Sequence, residues 1–87
     1  MVAPAEHPSA AQPATPVTVR LPITLGQFLK VAGLAATGGH AKRLIAAGEV
    51  SVNGQAELRR GRHLLAGDVV HTTGVPSVLL TTDPGYL

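Results

Sequence analysis

Thr37-Gly38-Gly39-His40-Ala41-Lys42-Arg43 is a stretch whose residue types and spacing fit a chemical task. Thr37 is a good N-cap residue, so a helix is expected to open just after it. The opening amides of a helix have no intrahelical partner and carry the positive end of its dipole. Gly38 and Gly39 let a bulky anion approach that backbone, and Lys42 and Arg43 follow within side-chain reach of the same space. These are the ingredients of a phosphate site. A nucleotide-binding P-loop is excluded, because the glycines, the lysine and the hydroxyl are wrongly spaced for one. A tight helix–helix turn carrying two solvated cations has the same sequence, and these residues alone do not separate the two readings.

Arg59-Arg60-Gly61-Arg62 is the second such stretch. Guanidinium groups offer paired donors suited to phosphates and base edges. A strand edge protected by positive charge would look the same. The joint occurrence is more telling than either cluster. All seven basic residues (Arg20, Lys30, Lys42, Arg43, Arg59, Arg60 and Arg62) lie between positions 17 and 72, against Glu49, Glu57 and Asp68. That segment therefore carries +4, although the whole chain of 87 residues carries only +2. A small domain charged in this way is suited to a polyanionic partner.

Other chemistry has little to stand on. His7, His40, His63 and His71 show no metal-ligand spacing, so no metal site is expected. Ser9, Ser51 and Ser77 lack a nucleophile context, and Glu49, Glu57 and Asp68 form no paired-carboxylate pattern. No catalytic residue, cofactor or small-molecule substrate is expected, and the protein reads as a non-enzyme. There is no cysteine to staple the fold. No apolar run approaches the ~20 residues that span a bilayer. The N-terminus has no signal-peptide pattern, so a cytoplasmic protein without a membrane partner is expected.

The elements that must position the two clusters follow from patterning. Residues 1–16 hold four of the seven prolines and five alanines, with no basic residue. They read as a flexible tail. Val17–Leu21 alternates up to Pro22. Thr24 and Gln27 then have capping-box spacing, and Leu25, Phe28, Leu29 and Ala32 form one helical face that ends at Gly33. Ala41, Leu44, Ile45 and Gly48 make the stripe of a second helix, with Phe28 and Leu44 expected to face each other. Val50-Ser51-Val52-Asn53-Gly54 signals a hairpin. A three-residue loop pairing Val52 with Ala56 and Val50 with Leu58 best matches the apolar pattern. His63–Leu65 and Val69–Thr72 read as further strands, with a turn at Ala66-Gly67-Asp68 between them. Val78–Leu80 reads as an edge strand or a loose end. The expected fold is α+β, two packed helices followed by a small antiparallel sheet. A domain over 17–72 is flanked by the tail and by a C-terminal extension over 73–87.

The order of these residues resembles the S4 domain, an RNA-binding module, and within that family the small stand-alone proteins of bacteria. The resemblance runs from Ile23 to Val70 and covers 48 of 87 residues. It is carried by Leu25–Leu29-Lys30, Gly33-Leu34, Thr37-Gly38-Gly39 with Ala41-Lys42, Ile45 and Gly48. Val50–Gly54, Glu57, Arg59-Arg60-Gly61 and Gly67–Val70 complete it. It implies two helices on a short bent sheet, with RNA gripped by the helical pair and the adjoining loops. It implies phosphate contacts at Lys42, Arg43, Arg59, Arg60 and Arg62, a backbone contact at Gly38-Gly39, and a lesser contact at Lys30. His40 and His63 depart from the residues common at their positions, an acid and a lysine. The flanks at 1–16 and 73–87 inherit nothing. Structured RNA of the ribosomal or transfer class is the expected partner. With Phe28 and Tyr86 as the only aromatics, a base-stacking platform is disfavoured. The competing expectation is an adaptor whose basic face meets an acidic protein. A sulfur-carrier role is set aside, since the chain ends Pro84-Gly85-Tyr86-Leu87 rather than Gly-Gly.

Overall fold

The computed structural model describes residues 14–82. Its elements are β1 (Thr15–Thr18), α1 (Leu25–Val31), α2 (Gly38–Ala46), β2 (Val50–Val52), β3 (Gln55–Ala56), β4 (Val69–Thr72) and β5 (Val78–Thr81). Both helices start where their caps dictate. Thr24 Oγ1 accepts from Gln27 N at 3.3 Å while Thr24 N donates to Gln27 Oε1 at 3.0 Å, a complete capping box. Thr37 Oγ1 accepts from His40 N at 3.0 Å. Gly33, at φ +78, lets the chain leave α1, and the amides of Leu34 and Ala35 both return to Leu29 O at 2.8 and 3.0 Å. The helices are thereby folded into a hairpin. Phe28 and Leu29 of α1 and Ala41 and Ile45 of α2 are buried in it, whereas Leu44 is only partly buried at the rim. The α2 residues buried around Phe28 are thus Ala41 and Ile45, and the expected Leu44 packs against that core only in part.

The sheet differs from the expected antiparallel one. It has five strands in the order β1-β5-β4-β2-β3, and β1 runs parallel to β5 while the other pairs are antiparallel. A parallel neighbour needs a long crossover, and here everything between residues 18 and 78 supplies it. A strand therefore precedes the helices, and β5 is interior to the sheet, with Val78 and Leu80 buried. Thr15 and Pro16, assigned by composition to the tail, lie in β1; residues 1–13 and 83–87 are outside the described residues. Pro16 is tolerated because β1 is an edge.

The hairpin register also differs. Asn53 (φ 53) and Gly54 (φ 86) form a two-residue turn, pairing Val52 with Gln55 and Ser51 with Ala56. The three-residue loop fails because β3 does not have to supply an apolar face. Val50 and Val52 are buried in the common core, while Gln55 and Ala56 are exposed. The turn is locked from the far side, where Asn53 Oδ1 accepts from Val69 N at 2.9 Å and Asn53 Nδ2 donates to Asp68 Oδ1 at 2.9 Å. The cost of this register is that Glu57 comes onto the face of Val50, with Glu57 N donating to Val50 O at 3.0 Å. His63–Leu65 is not a strand either. Its contacts are a single bridge from Thr24 to His63, a bond from Leu64 N to Ile23 O at 3.0 Å, and turn bonds between Leu65 and Asp68. The segment instead crosses the start of α1, with Leu64 buried beneath it.

Candidate nucleic-acid interface

The second arginine cluster is placed by backbone hydrogen bonds. The first amides of a helix need outside acceptors. Leu25 N donates to Arg62 O at 2.8 Å and Gly26 N to Arg60 O at 3.0 Å, so the arginine loop caps α1 with its own carbonyls. Gly26 is what allows this approach. A methyl group at that position would lie 2.7 Å from Arg60 Cγ and 3.3 Å from Cδ. The aliphatic stem of Arg60 therefore lies on the bare backbone of α1.

From there Arg60 borders an open cleft of about 260 Å³. Thr24 at the cap of α1, Gln27 and Lys30 within it, Gly38 of α2, and Arg60 with Gly61 border it. The cleft brings Lys30, Gly38 and Arg60 together from three separate parts of the chain. Gly39 follows on the exposed first turn of α2, and a methyl group on it would lie 3.8 Å from Arg43 Nη1. The Arg43 guanidinium thus lies near that turn. Lys42 is exposed on the same helix, outside the cleft. The amides of Gly38 and Gly39 find no acceptor among the described residues; His40 N is the first of α2 to be capped. The two helix starts are therefore unequal, that of α1 being closed by protein carbonyls and that of α2 open.

Arg59 and Arg62 are arranged differently from Arg60. Both bind Glu57, whose side chain is 10% exposed. Glu57 Oε2 accepts from Arg59 N at 3.0 Å and from Arg59 Nε at 3.1 Å, and Oε1 accepts from Arg62 Nη1 at 2.9 Å. The Arg59 side-chain bond first, then its backbone N–H and the Arg62 bond, pull the Glu57 carboxyl down to about 2 from an ordinary 4.5. Arg59 is raised by the same contact. Neither Arg60 nor Lys30 has an ion-pair partner among the described residues.

Gly26, Gln27 and Glu57 were not singled out as site residues from the sequence. A glycine just inside an amphipathic helix is the one available sign of a close backbone approach. The histidines stay apart. His40 Nδ1 accepts from Ala36 N at 3.0 Å, His63 bridges to Thr24, and His71 is exposed on β4. Among the described residues no group of three or more His, Cys, Asp or Glu side chains is placed to hold a metal ion. No helix among them is long and apolar enough to cross a membrane.

The helix hairpin, the arginine loop and strands β2 to β4 fall within a single family match. The profile of the S4 domain family matches residues 19–78, and the chain belongs to that family of RNA-binding modules. The match reaches beyond the resemblance at both ends, taking in Val19 and Val78. The chain is also similar to the probable ribosome maturation protein RlbA of Bacillus subtilis (strain 168). The two are 51% identical over 55 residues, which make up 63% of this chain and 78% of that protein.

Proposed function

We propose that this protein is a non-enzymatic, cytoplasmic RNA-binding protein that docks on structured ribosomal RNA through the cleft between α1, α2 and the arginine loop. The observation that carries the reading is the meeting of Lys30, Arg60 and the open start of α2 at one cleft, with Arg43 and Lys42 on the adjoining turns. Backbone amides and four cations without ion-pair partners address phosphate oxygens, which fixes position on a duplex without reading sequence. Phe28 is fully buried and offers no ring to a base. It is the only Phe, Tyr or Trp among the described residues, so recognition by them works through phosphate spacing and groove shape rather than stacking. The similarity to a probable ribosome maturation protein supports RNA of the ribosome over transfer RNA as the target.

The test is ultraviolet crosslinking in cells followed by sequencing of the attached RNA. Enrichment of helical segments of ribosomal RNA is expected, with crosslinked peptides from α1, α2 or residues 59–62. Retention of a protein partner after complete nuclease digestion, with no RNA recovered, would favour an adaptor that meets an acidic protein.

A further inference from the structure

Glu57 is the one carboxylate inside the arginine loop, and its bonds span that loop from end to end. It takes Arg59 by backbone and side chain and Arg62 by side chain, and Arg62 N closes the same turn on Arg59 O at 3.2 Å. Between the two held residues stands Arg60, whose carbonyl sits on Gly26 N and whose stem lies on Gly26 itself. The geometry points to Glu57 as the positioning residue of the RNA-binding face: through Arg59 and Arg62 it holds the loop's carbonyls on the start of α1 and so aims Arg60 into the cleft. This inference rests on the RNA-binding reading above. It assigns the three arginines unequal parts, Arg60 as the phosphate contact and Arg59 with Arg62 as its mount.

The opposite role for Glu57 would be a brake, an acid that subtracts charge from two guanidiniums that otherwise meet phosphate. Burial argues against it. An acid that only tuned surface charge would sit at the surface, whereas the Glu57 side chain is 10% exposed and spends both oxygens on loop-closing bonds. Arg59 remains 75% exposed while paired, so the contact immobilises its base without hiding its charge.

The two roles differ in sign, and a double-mutant cycle separates them. The probe is a ribosomal RNA fragment from the crosslinking experiment, bound at 0.15 M salt, where charges more than about 8 Å apart are largely screened. Arg60→Ala is expected to weaken binding about tenfold, as loss of one charged phosphate contact in a small site does. Glu57→Gln keeps the shape but drops the charge. It should weaken binding about fivefold by loosening the mount, and that loss should vanish when Arg60 is already alanine. Hydrogen exchange at the Leu25 and Gly26 amides should quicken in Glu57→Gln, with no change at the intrahelical Phe28 amide. If Glu57→Gln does not fold, Arg62→Lys replaces it, with a loss of about threefold that again disappears beside Arg60→Ala. Tighter binding by Glu57→Gln, or an unchanged loss in the Arg60→Ala background, overturns the positioning role while leaving RNA binding intact. No effect of Arg60→Ala on affinity overturns the site itself.

Discussion

The two basic clusters of this protein look alike in sequence and are built on opposite plans. Lys42 and Arg43 stand on one helix, exposed, beside amides that no group among the described residues caps. Arg59 and Arg62 sit on a loop that is closed around a buried carboxylate and caps a helix with its own carbonyls. Only Arg60 projects from that loop over the cleft. Density of positive charge along a chain therefore measures neither how many cations are free nor what they do. An unpaired cation on a helix surface and a cation bonded to a buried acid can carry the same formal charge, yet only the second is tied into the shape of its loop.

The strongest way to break both clusters at once is through the core that carries them. Phe28→Ala should cost on the order of 3–5 kcal/mol, a large part of the stability of a small domain. Leu44→Ala, at the rim of the same core, should cost less, and thermal melts of the two variants rank them. Equal losses would mean that Leu44 is as deeply packed as Phe28. The comparison itself is tested by alanine pairs. Lys42→Ala with Arg43→Ala should lower RNA affinity about tenfold and change stability by less than about 0.5 kcal/mol, as exposed charges do. Arg59→Ala with Arg62→Ala should lower affinity and the melting temperature together, because Glu57 loses both its partners. Two pairs that behave alike would erase the distinction.

Acid titration gives a smaller and more local effect. Glu57 is held at about 2 in the folded protein against an ordinary 4.5, so its contribution is complete above pH 4.5 and is lost as the pH falls towards 2. Stability followed by denaturant melts should decline across that window, and Glu57→Gln should flatten the decline. The mildest change is Gly26→Ala. Helix propensity favours alanine by up to about 1 kcal/mol, while the new methyl collides with the Arg60 stem, which can swing away. The melt should hardly move, and RNA affinity should fall a few-fold as Arg60 leaves the cleft.

What was legible in the sequence was local. Thr24 with Gln27, Thr37 and Gly33 act through neighbours within a few residues, as do the positive φ angles of Asn53 and Gly54, and each does in the structure what its type dictates. What was not legible depends on distant partners. β1 pairs with β5 across some sixty residues, and no short-range pattern states that. Apolar patterning favours the three-residue loop because the two-residue turn sets Glu57 beside Val50. Two arginines further along make the buried carboxylate acceptable there. Lys30, the lesser candidate by sequence, reaches the cleft with Arg60, while Arg59 and Arg62 are tied to Glu57.

The central claim is that cations from separate parts of the chain meet one phosphate backbone at the cleft. The salt dependence of RNA affinity, for the wild type and for Lys30→Ala with Arg60→Ala, measures this most directly. Lys30, Lys42, Arg43 and Arg60 engaging four phosphates should give a log–log slope of about −3, and removing the two cleft cations should reduce it to about −1.5. Circular dichroism should show the double variant folded. A folded double variant that keeps the wild-type affinity and slope would contradict the account.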